Sequence, residues 1–181
     1  LRSSVTRPKG ALRSMGDLEN LDHFGARDIT QLTSKQLLDF DSCTNCGRCQ
    51  DQCPAWASGK SLSPRDVIQQ AKAYMEIRAP QLLAPNSDIP ETSQSPSLID
   101  DYVTPEALWS CTTCRACMEA CPAFIDHIDT IVDMRRYLTM EEARVPDGAM
   151  NAMSSMEQRG HPWRGTQATR PDRKDGTDAV A

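Results

Sequence analysis

Two stretches decide how this chain is read: CTNCGRCQDQCP, from Cys43 to Pro54, and CTTCRACMEACP, from Cys111 to Pro122. Both have the form C-x2-C-x2-C-x3-C-P, and the second stands 68 residues after the first. The chain has eight cysteines in 181 residues, and the two stretches use all of them.

The spacing is the ligand run of bacterial ferredoxins for [4Fe–4S] cubanes, in which the fourth Cys ligates the other cluster. A cubane offers four irons, each needing one thiolate. Ligands at i, i+3 and i+6 let a tight loop wrap three corners, and the fourth must come from elsewhere. Cys43, Cys46, Cys49 and Cys121 are therefore expected on one cluster, and Cys111, Cys114, Cys117 and Cys53 on the other. Proline after each fourth Cys biases that residue away from helix. Soft thiolates select iron–sulfur, zinc or Cu(I). Disulfides fit poorly, because cysteines three apart rarely meet the geometry and nothing marks secretion. Structural zinc wants pairs of pairs, which leaves the cysteines at i+6 and i+10 superfluous.

Length fits about one domain. Leu, Ile, Val and Phe make up about 17% of the residues and the net charge is −5, near the edge of what folds unaided. A small core stapled by clusters is expected, with metal binding coupled to folding. No run of 18 or more apolar residues is present, so no membrane span is expected. Leu1 in place of Met reads as a segment of a longer product. Thiolate-ligated clusters point to a reducing compartment.

Arg2, Arg7, Lys9 and Arg13 open the chain without an acid. Their composition reads as a disordered arm, or as a segment beside an anionic membrane face. Nucleic acid is not an expected partner, since aromatic interleaving is absent and the chain is acidic. Short helices are expected at Ser34 to Phe40 and from Thr104-Pro105-Glu106 into Trp109. Ser63 caps a longer helix with Pro64 at its first position and Asp66 in its first turn, running to about Arg78. Pro80, Pro85, Pro90 and Pro96 make 79–100 a loop. Helices are expected from about Asp126 to Arg144 and from about Ala149 to Gln158, the latter ended by Gly160. The tail from Arg164 is polar and reads as disordered. No strand is expected.

Trp56 and Trp109 flank ligands and would shield clusters or pack the core. Arg48 and Arg115 lie inside the Cys loops, where a cation favours the reduced, more negative cluster, or is simply solvated. His127 is expected to be structural or exposed. Met134, Met140, Met150, Met153 and Met156 read as helix packing or a docking face. No P-loop, GxGxxG fingerprint or hydrolytic triad appears, so no catalytic residue is assigned and any substrate site is expected on another domain or subunit.

QLLDFDSCTNCGRCQDQCPAWASGKSLSP from Gln36, LWSCTTCRACMEACP from Leu108 and DHIDTIVDMRRYL from Asp126 resemble the dicluster domain of heterodisulfide-reductase-related iron–sulfur proteins. RPKGAL from Arg7 and HFGARDITQLTSKQLLDF from His23 extend the likeness, most of all to membrane electron-transfer-flavoprotein:menaquinone oxidoreductases. The resemblance covers about Arg7 to Trp163 and implies the same two-cluster ligation. Relatives commonly have glycine where Arg115 stands.

The expectation is thus an all-α, ferredoxin-type dicluster domain over 31–160. A basic arm over 1–30 precedes it and a disordered tail over 161–181 follows. It would relay single electrons through two [4Fe–4S] clusters, from a flavoprotein of the electron-transfer type to a membrane haem and quinone subunit or domain. The expected location is the cytoplasmic face of the membrane. Rival readings are the iron–sulfur subunit of a glycerol-3-phosphate, glycolate or lactate oxidising complex or of a heterodisulfide reductase, and a structural or sensing iron–sulfur protein.

Overall fold

The computed structural model describes residues 23–83 and 96–162. Leu1 to Asp22, most of the expected basic arm, and the expected tail from Trp163 onward lie outside the described residues. Among the described residues there are helices and no strand, only one isolated bridge between Ile99 and Val103. The chain divides after Ala143 into two compact units.

In the first unit, α1 (Ser34–Ser42) leads to the first motif, which holds α2 (Arg48–Asp51) and α3 (Pro54–Ala57). Then come α4 (Pro64–Leu83) and α5 (Pro105–Ser110), followed by α6 (Ala116–Ala120) within the second motif. Helix α7 (His127–Arg136) continues as a π-helical segment, Tyr137–Glu141.

The starts of these helices follow from their caps. Thr33 and Gln36 form a capping box on α1, the Gln36 side chain accepting from the Thr33 N–H at 2.9 Å. Thr104 Oγ accepts from the Ala107 N–H at 3.3 Å, with Pro105 at the first position. Ser63 Oγ accepts from the Asp66 N–H at 3.2 Å and donates to Gln50 Oε1 at 2.8 Å, tying the start of α4 to the first Cys loop.

Helix α4 overruns its expected end at Arg78, with Pro80 inside it. Proline there removes only one bond in the last turn, while Ala79 and Leu82 pack against the core and hold the helix on. The expected loop is anchored too: Leu98 and Ile99, from a stretch read as polar, are fully buried.

Phe40, Ile68, Ala71, Leu108, Ile131, Met134 and Leu138 form the middle of the core. Helix α7 crosses it with seven of its ten residues buried. Residues just past Asp22 are tied down: Asp28 accepts from Tyr74 at 2.6 Å and pairs with Arg78 at 2.9 Å. Burial opposes that charge, but bonds from Thr30, Tyr74 and Arg78 outweigh it and hold the Asp28 carboxyl below its usual range. Gly25 has φ +81°, and a Cβ there would stand 2.2 Å from the Asp133 carbonyl oxygen. Only glycine lets this segment lie so close to α7.

In the second unit, α8 (Asp147–Arg159) begins two residues before the expected Ala149, capped by Pro146 and ended by Gly160 with φ 72°. It has no buried residue, and Met150, Met153 and Met156 are each about half exposed. Met134, grouped with them by sequence, is instead fully buried in the first unit.

Candidate iron–sulfur centres

The two motifs repeat in backbone as well as in sequence. Cys43 ends α1 and Cys111 ends α5, both extended. Asn45 and Thr113 then take φ 56° and 55°, and Gly47 and Arg115 take φ 83° and 66°. One helical turn follows each, α2 and α6, and carries Cys49 and Cys117 inward. Cys53 and Cys121 both return to extended backbone ahead of their prolines, at φ −83° and −80°. The left-handed residues reverse the chain sharply enough that the cysteines at i, i+3 and i+6 curl around a common centre.

Cys43, Cys46, Cys49 and Cys121 line one small hollow, with Gly47, Arg65, Pro122 and Ile125 among the other residues of its wall. Cys121 thus shares the hollow of the first motif. Burial pushes the Cys49 thiol up to about 11, and the neighbouring Cys121 and Cys43 thiolates add to it. On the other side, burial raises Cys111, with Cys53 and Cys114 contributing repulsion. Burial raises Cys117 to about 12, with Cys111, Cys114 and Cys49 adding to it. Cys53 lies in the apolar core against which Cys111 packs. Cys46 is exposed, and the Arg48 backbone N–H beside it lowers its thiol. Cys49, Cys117 and Ile128 pack together, which sets the two loops back to back.

This donor set fits a cubane in three respects. It is all sulfur, it comes as three thiols from one loop and one from the other, and it surrounds a space rather than a point.

Trp109 packs against the core, while Trp56 is 43% exposed and covers less than expected. Arg48 is exposed, and Arg115 is the left-handed cap of α6. His127 is fully buried, with Nδ1 3.1 Å from the Ile125 carbonyl oxygen, so its role is structural. Sequence reading missed two cations: Arg65 on the wall of the first hollow, and Arg135, which donates to the Cys111 carbonyl at 2.5 Å. The available signal was position. Each lies on the helix that follows a motif.

Residues 42–125 match the family pattern of the 4Fe–4S dicluster domain. The EtfAB:quinone oxidoreductase of Syntrophomonas wolfei is 41% identical over 169 residues, covering 84% of this chain and 24% of the relative. A probable membrane-anchored ferredoxin of Chromohalobacter salexigens is 40% identical, covering 72% of this chain and 21% of its own length. One subunit of the dihydromethanophenazine:CoB–CoM heterodisulfide reductase of Methanosarcina acetivorans is 35% identical, covering 61% and 27%. The chain thus spans about a quarter of the length of these relatives. Residues 42–125 are therefore a 4Fe–4S dicluster domain, and the chain is an iron–sulfur module for two [4Fe–4S] clusters, similar to parts of an EtfAB:quinone oxidoreductase and of a heterodisulfide reductase subunit.

Proposed function

We propose that Cys43, Cys46, Cys49 and Cys121 hold one cluster, that Cys111, Cys114, Cys117 and Cys53 hold the other, and that the pair passes single electrons from a flavoprotein to a membrane quinone. The observation that carries the ligation is the place of Cys121 on the wall with Cys43, Cys46 and Cys49. The chain's part is to bind, space and insulate; the bound clusters supply the one-electron chemistry. The dicluster domain is taken as residues 31–160.

The likeness to an EtfAB:quinone oxidoreductase and to a membrane-anchored ferredoxin supports a flavoprotein donor, a membrane haem or quinone acceptor, and a place at the cytoplasmic membrane face. Among the described residues no helix is long and apolar enough to cross a membrane, so attachment would come through another segment or subunit. The likeness to a heterodisulfide reductase subunit favours a second reading as part of such a complex. The flavoprotein that co-purifies separates the two.

Ligation is tested by Cys53→Ser and Cys121→Ser, with anaerobic iron content and EPR after stepwise reduction. About eight irons per chain and two reducible centres are expected in the parent. Cys121→Ser should perturb the centre that Cys46→Ser perturbs, and Cys53→Ser the one that Cys114→Ser perturbs. If each fourth cysteine instead tracked its own motif, the crossed assignment would fall.

A further inference from the structure

Arg135 is the ninth residue of α7 (His127–Arg136). Its Nε donates to the Leu108 carbonyl at 2.9 Å, and its Nη2 donates to the Leu108 and Cys111 carbonyls. The guanidinium also lies over the Trp109 ring, 5.1 Å from the centroid. Among the described residues its partners are thus carbonyl oxygens and an indole face, and the side chain is half-buried.

The first half has a matching cation. Lys72 is the ninth residue of α4 (Pro64–Leu83), and it reaches the end of α1 as Arg135 reaches the end of α5. Lys72 Nζ lies 3.5 Å from the Asp41 carbonyl oxygen and 3.2 Å from its carboxylate. Asp41 is 71% exposed and stands two residues before Cys43. The Lys72 charge is therefore cancelled by a carboxylate and screened by water. Arg65, on the wall of the first hollow, is likewise paired, with Asp66 at 2.9 Å. Arg48 and Arg115 stand one in each loop. Among the described residues, what distinguishes the halves is that the half-buried cation beside Cys111 faces carbonyls, whereas Arg65, on the wall with Cys43, faces a carboxylate.

A positive charge in a weakly screened setting favours the more negative, reduced form of a nearby cluster. We propose that Arg135 sets the potential of the cluster bound by Cys111, making it the higher of the two and the resting place of the first electron. This rests on the ligand assignment proposed above.

The test is an anaerobic potentiometric titration of the loaded protein, read by EPR, each centre taking one electron from the titrant. The centre that Cys114→Ser perturbs is expected to be reduced first. Arg135→Gln should lower that centre's reduction equilibrium about tenfold, or about 59 mV for a one-electron couple, and leave the other within about threefold. Arg135→Lys should recover most of the shift. Asp41→Asn, an exposed change that unmasks Lys72, should raise the other centre instead. Both centres moving together, neither moving, or Lys failing where Gln fails would overturn the proposal, the last by showing that Arg135 acts only as a clamp on the carbonyls. If Arg135→Gln does not load, the parent's own order of reduction decides, because a Cys114 centre that is reduced second sinks the charge argument. Low iron in the parent would reject the ligand assignment, whereas full iron with unmoved potentials would reject Arg135 alone.

Discussion

Arg115 holds a backbone conformation that its own chemistry disfavours. It stands at φ 66° where the first motif has Gly47 at φ 83°, and the left-handed region costs a residue with a Cβ about 1–2 kcal/mol. No protein atom comes within 4 Å of a Cβ built on Gly47, so within the protein what glycine supplies there is dihedral freedom. Arg115→Gly should therefore stabilise the loaded protein by about 0.5–1 kcal/mol, after subtracting the extra freedom of glycine in the unfolded chain. A rise of a few degrees in the anaerobic melting temperature, followed at the cluster absorbance, is the expected outcome; a fall would mean that the Arg115 side chain contributes more than the strain removes. At this scale sequence was most informative. Spacing alone named all eight cysteines, and the internal repeat would have flagged Arg115 as the odd member of a left-handed pair. It could not find Arg135, whose partners are backbone carbonyls 24 and 27 residues away and leave no mark in composition.

Helix α7 shows what element-level reading catches and what escapes it. Its apolar spacing was visible, but not the burial of nearly all its faces, which depends on packing between segments far apart in sequence. Gln36 reaches it from α1, donating to Asp133 at 2.8 Å, and the Ala26 N–H donates to the Asp133 carbonyl at 3.0 Å. His127 opens the helix inside the core, where burial, with a smaller push from Lys35, lowers its pKa to about 4. An unfolded histidine titrates near 6.5, so between those values the unfolded chain binds the extra proton. Stability is then full above about pH 6.5 and is lost as pH falls toward 4, by roughly 3 kcal/mol in all. His127→Asn, which keeps a donor for the Ile125 carbonyl, should flatten this slope. Urea midpoints at pH 7 and 5.5 under anaerobic conditions measure it, and an equal drop in parent and variant would place the pH sensitivity elsewhere. Pro80 carries the complementary lesson. A residue that usually ends a helix was overruled by the burial of its neighbours.

Across the whole molecule, the clusters and the core are one structure. Cys53 lies in the main apolar core, with Cys43, Cys111 and Cys121 packed against it, while Cys49 and Cys117 share a smaller cluster with Ile128. Removing iron would leave thiols with strongly raised pKa values facing emptied space, at the junction of both loops. We expect anaerobic chelation to abolish the cooperative melting transition and much of the helical circular dichroism; a metal-free protein with unchanged helix content would show that the apolar core stands alone. The modest share of large apolar residues is the sequence signal for that expectation, and the all-helical class was legible from caps and spacing. The buried Leu98 and Ile99 were not, because a proline-rich polar stretch gives no hint that two of its residues plug the core.

The place of Cys121 also sets a clock on biosynthesis. The ring of thiols around the first hollow opens at Cys43 and closes only 78 residues later. A ribosome that has delivered the whole first motif has still delivered only three of the four sulfurs around that hollow. Until Cys121 emerges, the wall of that hollow lacks its fourth thiol.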